Sequence, residues 1–195
     1  MDYIEKLRIV HEIYLGGTDC SVAEEEIIEV EKKLDLSVPM PLREFYSVFG
    51  ACRELLKSFF DIALPNELYH EDNILYFADE NQGVCCYGIN ISTHELVYID
   101  QYIMEPMPED LEDFLLCLLA LQGTEFFPRA GVLNCSALEA ERYFTKITKS
   151  ISTPVFYNMD GLIAYFDEEK IILSARDDAT FERFEDDNNL DLEHL

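Results

Sequence analysis

The hydrophobic positions in the first fifty residues recur every three to four residues, which is the spacing of one face of an α-helix. A capping box of Ser21 and Glu24 marks the start of the second such stretch, because each side chain can satisfy a backbone N–H group at a helix start. Gly50 is placed as the C-terminal stop of the third stretch. The pattern therefore predicts helices over residues 3–15, 21–34 and 42–49.

From residue 74 onward the pattern changes to short apolar runs that are separated by polar turns, as in strands. A first group of strands is predicted over residues 74–77, 83–89 and 95–100, and a second over residues 155–157, 162–166 and 171–174. Their connections are short, which is typical of antiparallel hairpins. Helices are predicted from Pro108 to Gly123, from a second capping box at Ser136 and Glu139 through Ile147, and over residues 179–185.

This order of elements predicts the fold class. Helices come first and strands mixed with helices follow, which favours an α+β fold rather than a doubly wound α/β fold. We expect a mostly antiparallel β-sheet flanked by helices in a single domain over residues 1–195. Residues 1–20 are interpreted as an N-terminal helical addition, and residues 186–195 as an acidic tail.

The charge balance narrows the range of partners. The 195 residues include 14 Lys and Arg against 40 Asp and Glu, a formal net charge of −26. Phosphate contacts need basic side chains, so the balance argues against nucleic acid and against an anionic membrane surface. High acidity favours a basic protein partner, or it serves solubility alone. The N-terminus lacks a signal-peptide core, and the apolar run Phe114–Leu121 is too short to span a bilayer, so we expect a cytoplasmic protein.

The residues that carry chemistry do not form a recognisable catalytic or metal-binding set. The four histidines have no ligand spacing, and the six cysteines include no C-x-x-C pair, so the sequence predicts no metal, no cofactor and reduced thiols. The neighbouring carboxylates of Asp79 and Glu80 suit either cation or acid–base chemistry, or a solvated turn. The sequence favours the turn, and the chain is predicted not to be an enzyme.

A second acidic stretch lies near the C-terminus. Between Asp177 and Glu193 there are eight acidic residues and one Arg. Such a run is usually a solvated face or a fraying end, but it also suits an electrostatic landing patch for a cationic protein. The candidate contact residues in it are Asp177, Asp178, Glu182 and Glu185.

Three segments resemble the SUKH superfamily, which includes fungal regulators of cell-wall assembly and bacterial immunity proteins. The most specific is I-L-Y-F-A-D-E-N-Q-G-V-C-C-Y-G-I from Ile74 to Ile89. The helix–proline–helix–glycine order over Ile27–Gly50 and the segment from Asp160 through Phe184 are also similar. The resemblance covers roughly residues 21–190. Many relatives carry Trp where this chain has Tyr87, a change that keeps most of the aromatic area.

The resemblance implies a binding protein. The expected role is an immunity protein that neutralises a bacterial polymorphic toxin by covering it, and the acidity of the chain favours a nuclease toxin with a basic groove. The alternative is an intracellular adaptor that resembles the fungal regulators. The candidate partner-binding residues on this reading are Glu80, Asn81, Gln82 and Tyr87.

Overall fold

The computed structural model of the chain describes residues 1–150, 152–167 and 169–195. Helices and antiparallel strands are both present, which confirms the predicted α+β class. The chain divides into two compact units, each with its own sheet. Unit A comprises residues 19–114, and unit B comprises residues 1–18 together with residues 115–195. The sequence predicted a single sheet, because it does not indicate which hairpins pair with each other. The single-domain boundary stays a prediction.

The helices of unit A are α2 (Glu24–Leu34), α3 (Met40–Phe49) and the short α4 (Arg53–Leu56), followed by a 3₁₀ turn at Pro65–Glu67. The predicted apolar face of α3 is buried, and Phe45 and Phe49 stack there with ring centroids 5.7 Å apart. Arg43 on α3 forms ion pairs with Glu24 and Glu31 on α2. These contacts join the two helices that the sequence predicts next to Pro39.

The sheet of unit A is antiparallel and runs in the order β1–β3–β4–β5–β6, with β2 also paired to β3. Its strands are β1 (Phe60–Ile62), β2 (Tyr69–Glu71), β3 (Ile74–Glu80), β4 (Cys85–Asn90), β5 (Leu96–Asp100) and β6 (Met104–Pro106). The three central strands are those that the short apolar runs predict. The sequence did not predict β1, β2 or β6, because a three-residue strand carries little pattern of its own. Residues 155–157 were predicted because Pro154 and the polar turn at residues 158–161 mark both ends of the run.

The strands of unit B pair antiparallel in the order β12–β7–β11–β10–β9–β8. They are β7 (Arg129–Leu133), β8 (Thr145–Lys146), β9 (Val155–Tyr157), β10 (Leu162–Asp167), β11 (Lys170–Ala175) and β12 (Glu193–His194). The helices α1 (Tyr3–Leu15), α6 (Ala137–Ala140) and α7 (Asp178–Asn188) belong to this unit, and α5 (Leu111–Phe126) enters it at Leu115. The apolar face of α1 is buried, so this helix contributes to the core of unit B. The interpretation of residues 1–20 as an addition to the domain stays a prediction.

The C-terminal segment differs from the predicted acidic tail. The first residues of the 186–195 range complete α7, and the end of the range forms β12, which pairs with β7. Leu192 lies between these elements and is buried. The buried Leu192 side chain holds this segment against the rest of unit B. The acidic composition of the segment gave no indication of this contact.

Three helix boundaries also differ from the sequence prediction. The Ser21 side chain does not cap α2: its hydroxyl donates to Asp19 Oδ1 at 2.6 Å, and Ala23 is the N-cap residue. The nearby carboxylate competes for the serine, as Asp often does before a helix. Helix α5 continues through Gly123 to Phe126. The Ser136–Glu139 capping box is confirmed, but α6 ends at Ala140.

Within the described residues, no helix combines the length and the apolar character that crossing a membrane requires.

Candidate functional site

The turn between β3 and β4 carries the first group of predicted contact residues. The Glu80 carboxylate accepts hydrogen bonds from the backbone N–H groups of Gln82 at 2.9 Å and Val84 at 3.3 Å. Gly83 has φ of +69°, a conformation that glycine adopts without strain. Glu80 therefore closes the turn, so its carboxylate has a structural role that the sequence could not distinguish from partner binding.

The other two residues of this turn differ in their surroundings. Asn81 Nδ2 donates to the backbone carbonyl of Ser58 at 2.7 Å, which ties the turn to the segment before β1. Gln82 is exposed. Among the turn residues predicted as contacts, Gln82 thus has the side chain most available to a partner.

Tyr87 lies within an aromatic cluster rather than on an open surface. Its ring centroid is 4.8 Å from that of Phe114, 5.8 Å from that of Phe60 and 5.9 Å from that of Tyr98. The side chain is half-buried. The geometry assigns Tyr87 mainly to packing, which an aromatic side chain of this size serves at this position.

Asp79 points to the opposite face of the sheet from Tyr87 and stands directly across from Asp61 in the β1–β3 register. Burial, and secondarily the Asp61 carboxylate, raise the pKa of Asp79, while Lys57 opposes the rise. Asp79 and Asp61 line an open cleft of about 240 Å³ that also contains Lys57, Glu67 and the stacked rings of Tyr69 and Tyr76. Like charges that face each other across strands are destabilising, so this pair weakens the sheet.

Asp79 and Glu80 do not act as an adjacent carboxylate pair. One faces the cleft, while the other is bonded into the turn. Among the residues that the structure describes, no group of three or more His, Cys, Asp or Glu side chains is arranged to hold a metal ion.

The second group of predicted contact residues lies on α7 in unit B. Asp177 is the N-cap residue of this helix and accepts from the Thr180 backbone N–H at 2.9 Å. The Glu185 carboxylate accepts from the Leu192 backbone N–H at 3.1 Å. Asp178 and Glu182 lie 4.0 and 3.9 Å from the guanidinium of Arg129 and are largely exposed. Two of the four residues thus stabilise the helix and the C-terminal segment, while Asp178 and Glu182 face solvent.

The predicted residues form two separate groups, since the turn residues belong to unit A and the α7 residues to unit B. Each group is a candidate surface by itself.

A third candidate surface, which the sequence did not indicate, is the turn between β5 and β6. Asp100 Oδ1 accepts from the backbone N–H groups of Tyr102 at 2.7 Å and Ile103 at 2.8 Å. This turn presents Tyr102, which is 82% exposed, with Ile103 at 46% and Met104 at 52%. A Tyr-Ile-Met run in a polar segment was the available signal, but exposure of apolar residues is not visible in a sequence.

Three of the six thiols are poor nucleophiles. Burial, together with Cys20, raises the pKa of Cys52 to about 12. Burial also raises the pKa of Cys86 and Cys135, and Asp79 and Glu139 add to it respectively. Because the thiolate is the reactive form, these cysteines remain inert thiols at neutral pH.

Comparison with known proteins gave no match to a protein-family model, to a curated protein or to a solved structure.

Proposed function

We propose that the chain is a cytoplasmic, non-catalytic binding protein of the SUKH type, an immunity protein that neutralises a basic toxin by covering its active site. The observation that carries the proposal is the distribution of charge. From Ser58 to Pro128 the chain contains no Lys or Arg and fourteen Asp or Glu. This stretch includes every strand of the unit A sheet.

A nuclease is the toxin class that such a sheet suits best. A nuclease holds its phosphate backbone in a basic groove, and carboxylates can occupy the same groove. A binder that presents an excess of carboxylates also attracts a cationic partner over a distance, which raises the association rate. Neutralisation needs tight binding, and colicin DNases reach dissociation constants of about 10⁻¹³ to 10⁻¹⁶ M with their immunity proteins.

The turn geometry supports a binding role. Its ends are fixed by Glu80 and Asn81, so Gln82 is presented on a backbone that is already ordered. Binding through an ordered turn avoids part of the entropy cost of association. Burial raises the pKa of the Cys52, Cys86 and Cys135 thiols, which disfavours these three residues as nucleophiles.

The experiment that tests the proposal is co-expression with a candidate toxin domain, sought among the genes that neighbour the gene of this chain. The toxin domain is induced in bacteria with and without the chain, and survival is counted. We expect survival only with the chain, together with a stable complex after purification. Toxicity that persists despite a soluble, folded chain would contradict the proposed function.

Two substitutions then compare the candidate surfaces. Gln82→Ala alters the β3–β4 turn and Glu182→Ala alters α7, while neither removes a side-chain hydrogen bond that stabilises a turn or helix end. True contacts at the centre of an interface cost about 2 kcal/mol or more on truncation, which is roughly a thirtyfold loss of affinity. A loss confined to one variant identifies the contact surface, and negligible losses in both would reject these two surfaces.

A further inference from the structure

One face of the unit A sheet carries acidic and apolar side chains in a single row. Directly opposed residues of antiparallel strands point to the same face. The register aligns Asp61, Asp79, Cys86, Ile99 and Met104 across β1, β3, β4, β5 and β6. Asp61, Asp79 and Met104 are exposed, and Cys86 and Ile99 are half-buried. We call these five residues the open face.

The open face continues into exposed apolar residues at one end of the sheet. Cys85 pairs with Asp100, so the two turns that flank this pair, one carrying Val84 and the other Tyr102, lie at the same end. Val84 is 62% exposed, and Tyr102 is 82% exposed. Exposed apolar side chains that gather on one part of a surface are more typical of a binding site than single scattered ones are.

The negative charge of the open face indicates which kind of partner it binds. The carboxylates of Asp61 and Asp79 face each other across the strands, and the nearest cation, Lys57, is already paired with Asp61 and Glu67. A second copy of this chain would bring further negative charge to the same place, since the net charge is −26. A cationic protein would instead relieve the repulsion between the two carboxylates.

We infer that the open face and Tyr102 form the docking surface for a basic protein, in which Tyr102 and Met104 enter an apolar pocket and Asp61 and Asp79 meet Lys or Arg side chains. This inference rests on the proposed binding function and adds the surface and the chemistry of the partner. Tyrosine is a favourable anchor because it buries a large area and has few side-chain torsions to restrict. The hydrogen bonds from Asp100 hold the turn in place before binding.

The test uses a phage-displayed library of random twelve-residue peptides, selected against the full chain. We expect enriched peptides to combine Lys or Arg with apolar residues, and their binding to fall at least tenfold for the double variant Tyr102→Ser with Met104→Ser. The matched control is Leu138→Ser, which removes an apolar side chain that is 77% exposed in unit B. The control variant should bind like the unaltered chain.

Several outcomes would overturn the inference: no enriched peptides, peptides without basic residues, or binding that the double variant keeps. Light scattering tests one further outcome. If the unaltered chain is a dimer and the double variant is a monomer, a second copy of the chain occupies the surface, and the inference is wrong.

The test separates this inference from the proposed function. Peptides that bind the open face without any protection from the toxin would refute immunity and leave the surface in place. If the double variant still binds and neutralises the toxin, immunity is supported and the open face is refuted as the docking surface.

Discussion

Asp100 accepts hydrogen bonds from the backbone N–H groups of Tyr102 and Ile103, so a single carboxylate oxygen fixes the turn that presents the most exposed tyrosine of unit A. The sequence gives no hint of this pairing beyond an Asp two residues before a Tyr. It links the order of the β5–β6 turn to the binding role proposed for Tyr102.

Replacing Asp100 with Ala is expected to loosen this turn. Loss of two charge-assisted hydrogen bonds at an exposed site should cost about 1 kcal/mol locally. The amide hydrogens of Tyr102 and Ile103 should then exchange several times faster, which NMR measures residue by residue. The control Asp187→Ala makes the same change of charge on α7 and should leave both amides unaffected. Unchanged exchange in Asp100→Ala would show that other contacts order the turn.

Replacing Asp79 with Asn is expected to stabilise the fold and weaken partner binding. The substitution removes a like-charge contact with Asp61, which should raise the free energy of unfolding by about 0.5 kcal/mol in urea titrations at neutral pH. The raised pKa of Asp79 gives the sign of the pH dependence. Since its folded-state pKa lies above the unfolded value, the ionised form costs stability, and the difference between the variants should shrink as the pH falls and Asp79 becomes protonated. A destabilised Asp79→Asn protein would mean that attraction to Lys57 prevails.

Replacing Tyr46 with Phe is expected to change the response to alkaline pH. The Tyr46 hydroxyl donates to the Ala63 carbonyl at 2.8 Å, and burial, followed by Glu67, raises the pKa of Tyr46. In the unfolded chain this phenol ionises near pH 10, while in the folded chain it stays protonated. The unfolded state then binds fewer protons, so stability falls as the pH rises above about 10, by up to about 1.4 kcal/mol per pH unit for each such tyrosine.

Urea unfolding of Tyr46→Phe from pH 9 to 11.5 measures this contribution. The variant should be less stable at pH 9, because it lacks one hydrogen bond, and its stability should fall less steeply with pH. The control is Tyr102→Phe, which removes a phenol from an exposed site and leaves the hydrogen bond from Tyr46 to Ala63 in place. Equal slopes for Tyr46→Phe and the unaltered protein would contradict the assignment.

Replacing Gly123 with Ala is expected to destabilise unit B, although Ala is the better helix former. A Cβ atom at this position would lie 2.2 Å from Tyr14 Oη and 2.8 Å from Ser174 Oγ, two hydroxyls that are themselves 2.6 Å apart. Overpacking of this kind costs about 1–3 kcal/mol in unfolding experiments. The double variant with Tyr14→Phe should lose less than the sum of the single losses, because the nearest clashing atom is gone. Strict additivity, or a stabilised Gly123→Ala, would contradict the packing.

The Gly123 position also illustrates which parts of the fold the sequence predicts. Glycine often ends a helix, so the sequence predicted the end of α5 at Gly123. The apolar pattern did not indicate that the Tyr14 side chain, more than a hundred residues earlier, occupies the space where a Cβ atom would lie. Elements with four or more patterned positions, such as α3, β3 and β10, were predicted within a few residues, since their period is recorded in the chain itself. The pairing of strands into two sheets depends on contacts between distant segments and could not be predicted.

In the candidate site, too, local features were predictable from the sequence and contacts between distant residues were not. Residues 79–83 were predicted as a turn because Asp, Asn and Gly favour turns, and the structure confirms a turn between Glu80 and Cys85. The local pattern could not indicate that Glu80 is bonded within the turn, that Tyr87 packs against Phe114, or that Tyr102 is exposed. Each of these depends on three-dimensional neighbours rather than on residue type.

The most direct test of the central claim is the dissociation constant of the cognate toxin domain for the unaltered chain and for Tyr102→Ser, measured at low and at physiological ionic strength. Salt screens the repulsion within this acidic chain and should not destabilise its fold, so unfolding monitored in parallel separates folding from binding. We expect Tyr102→Ser to bind at least tenfold more weakly, and added salt to weaken binding of both proteins. Equal affinities that do not respond to ionic strength would contradict the central claim.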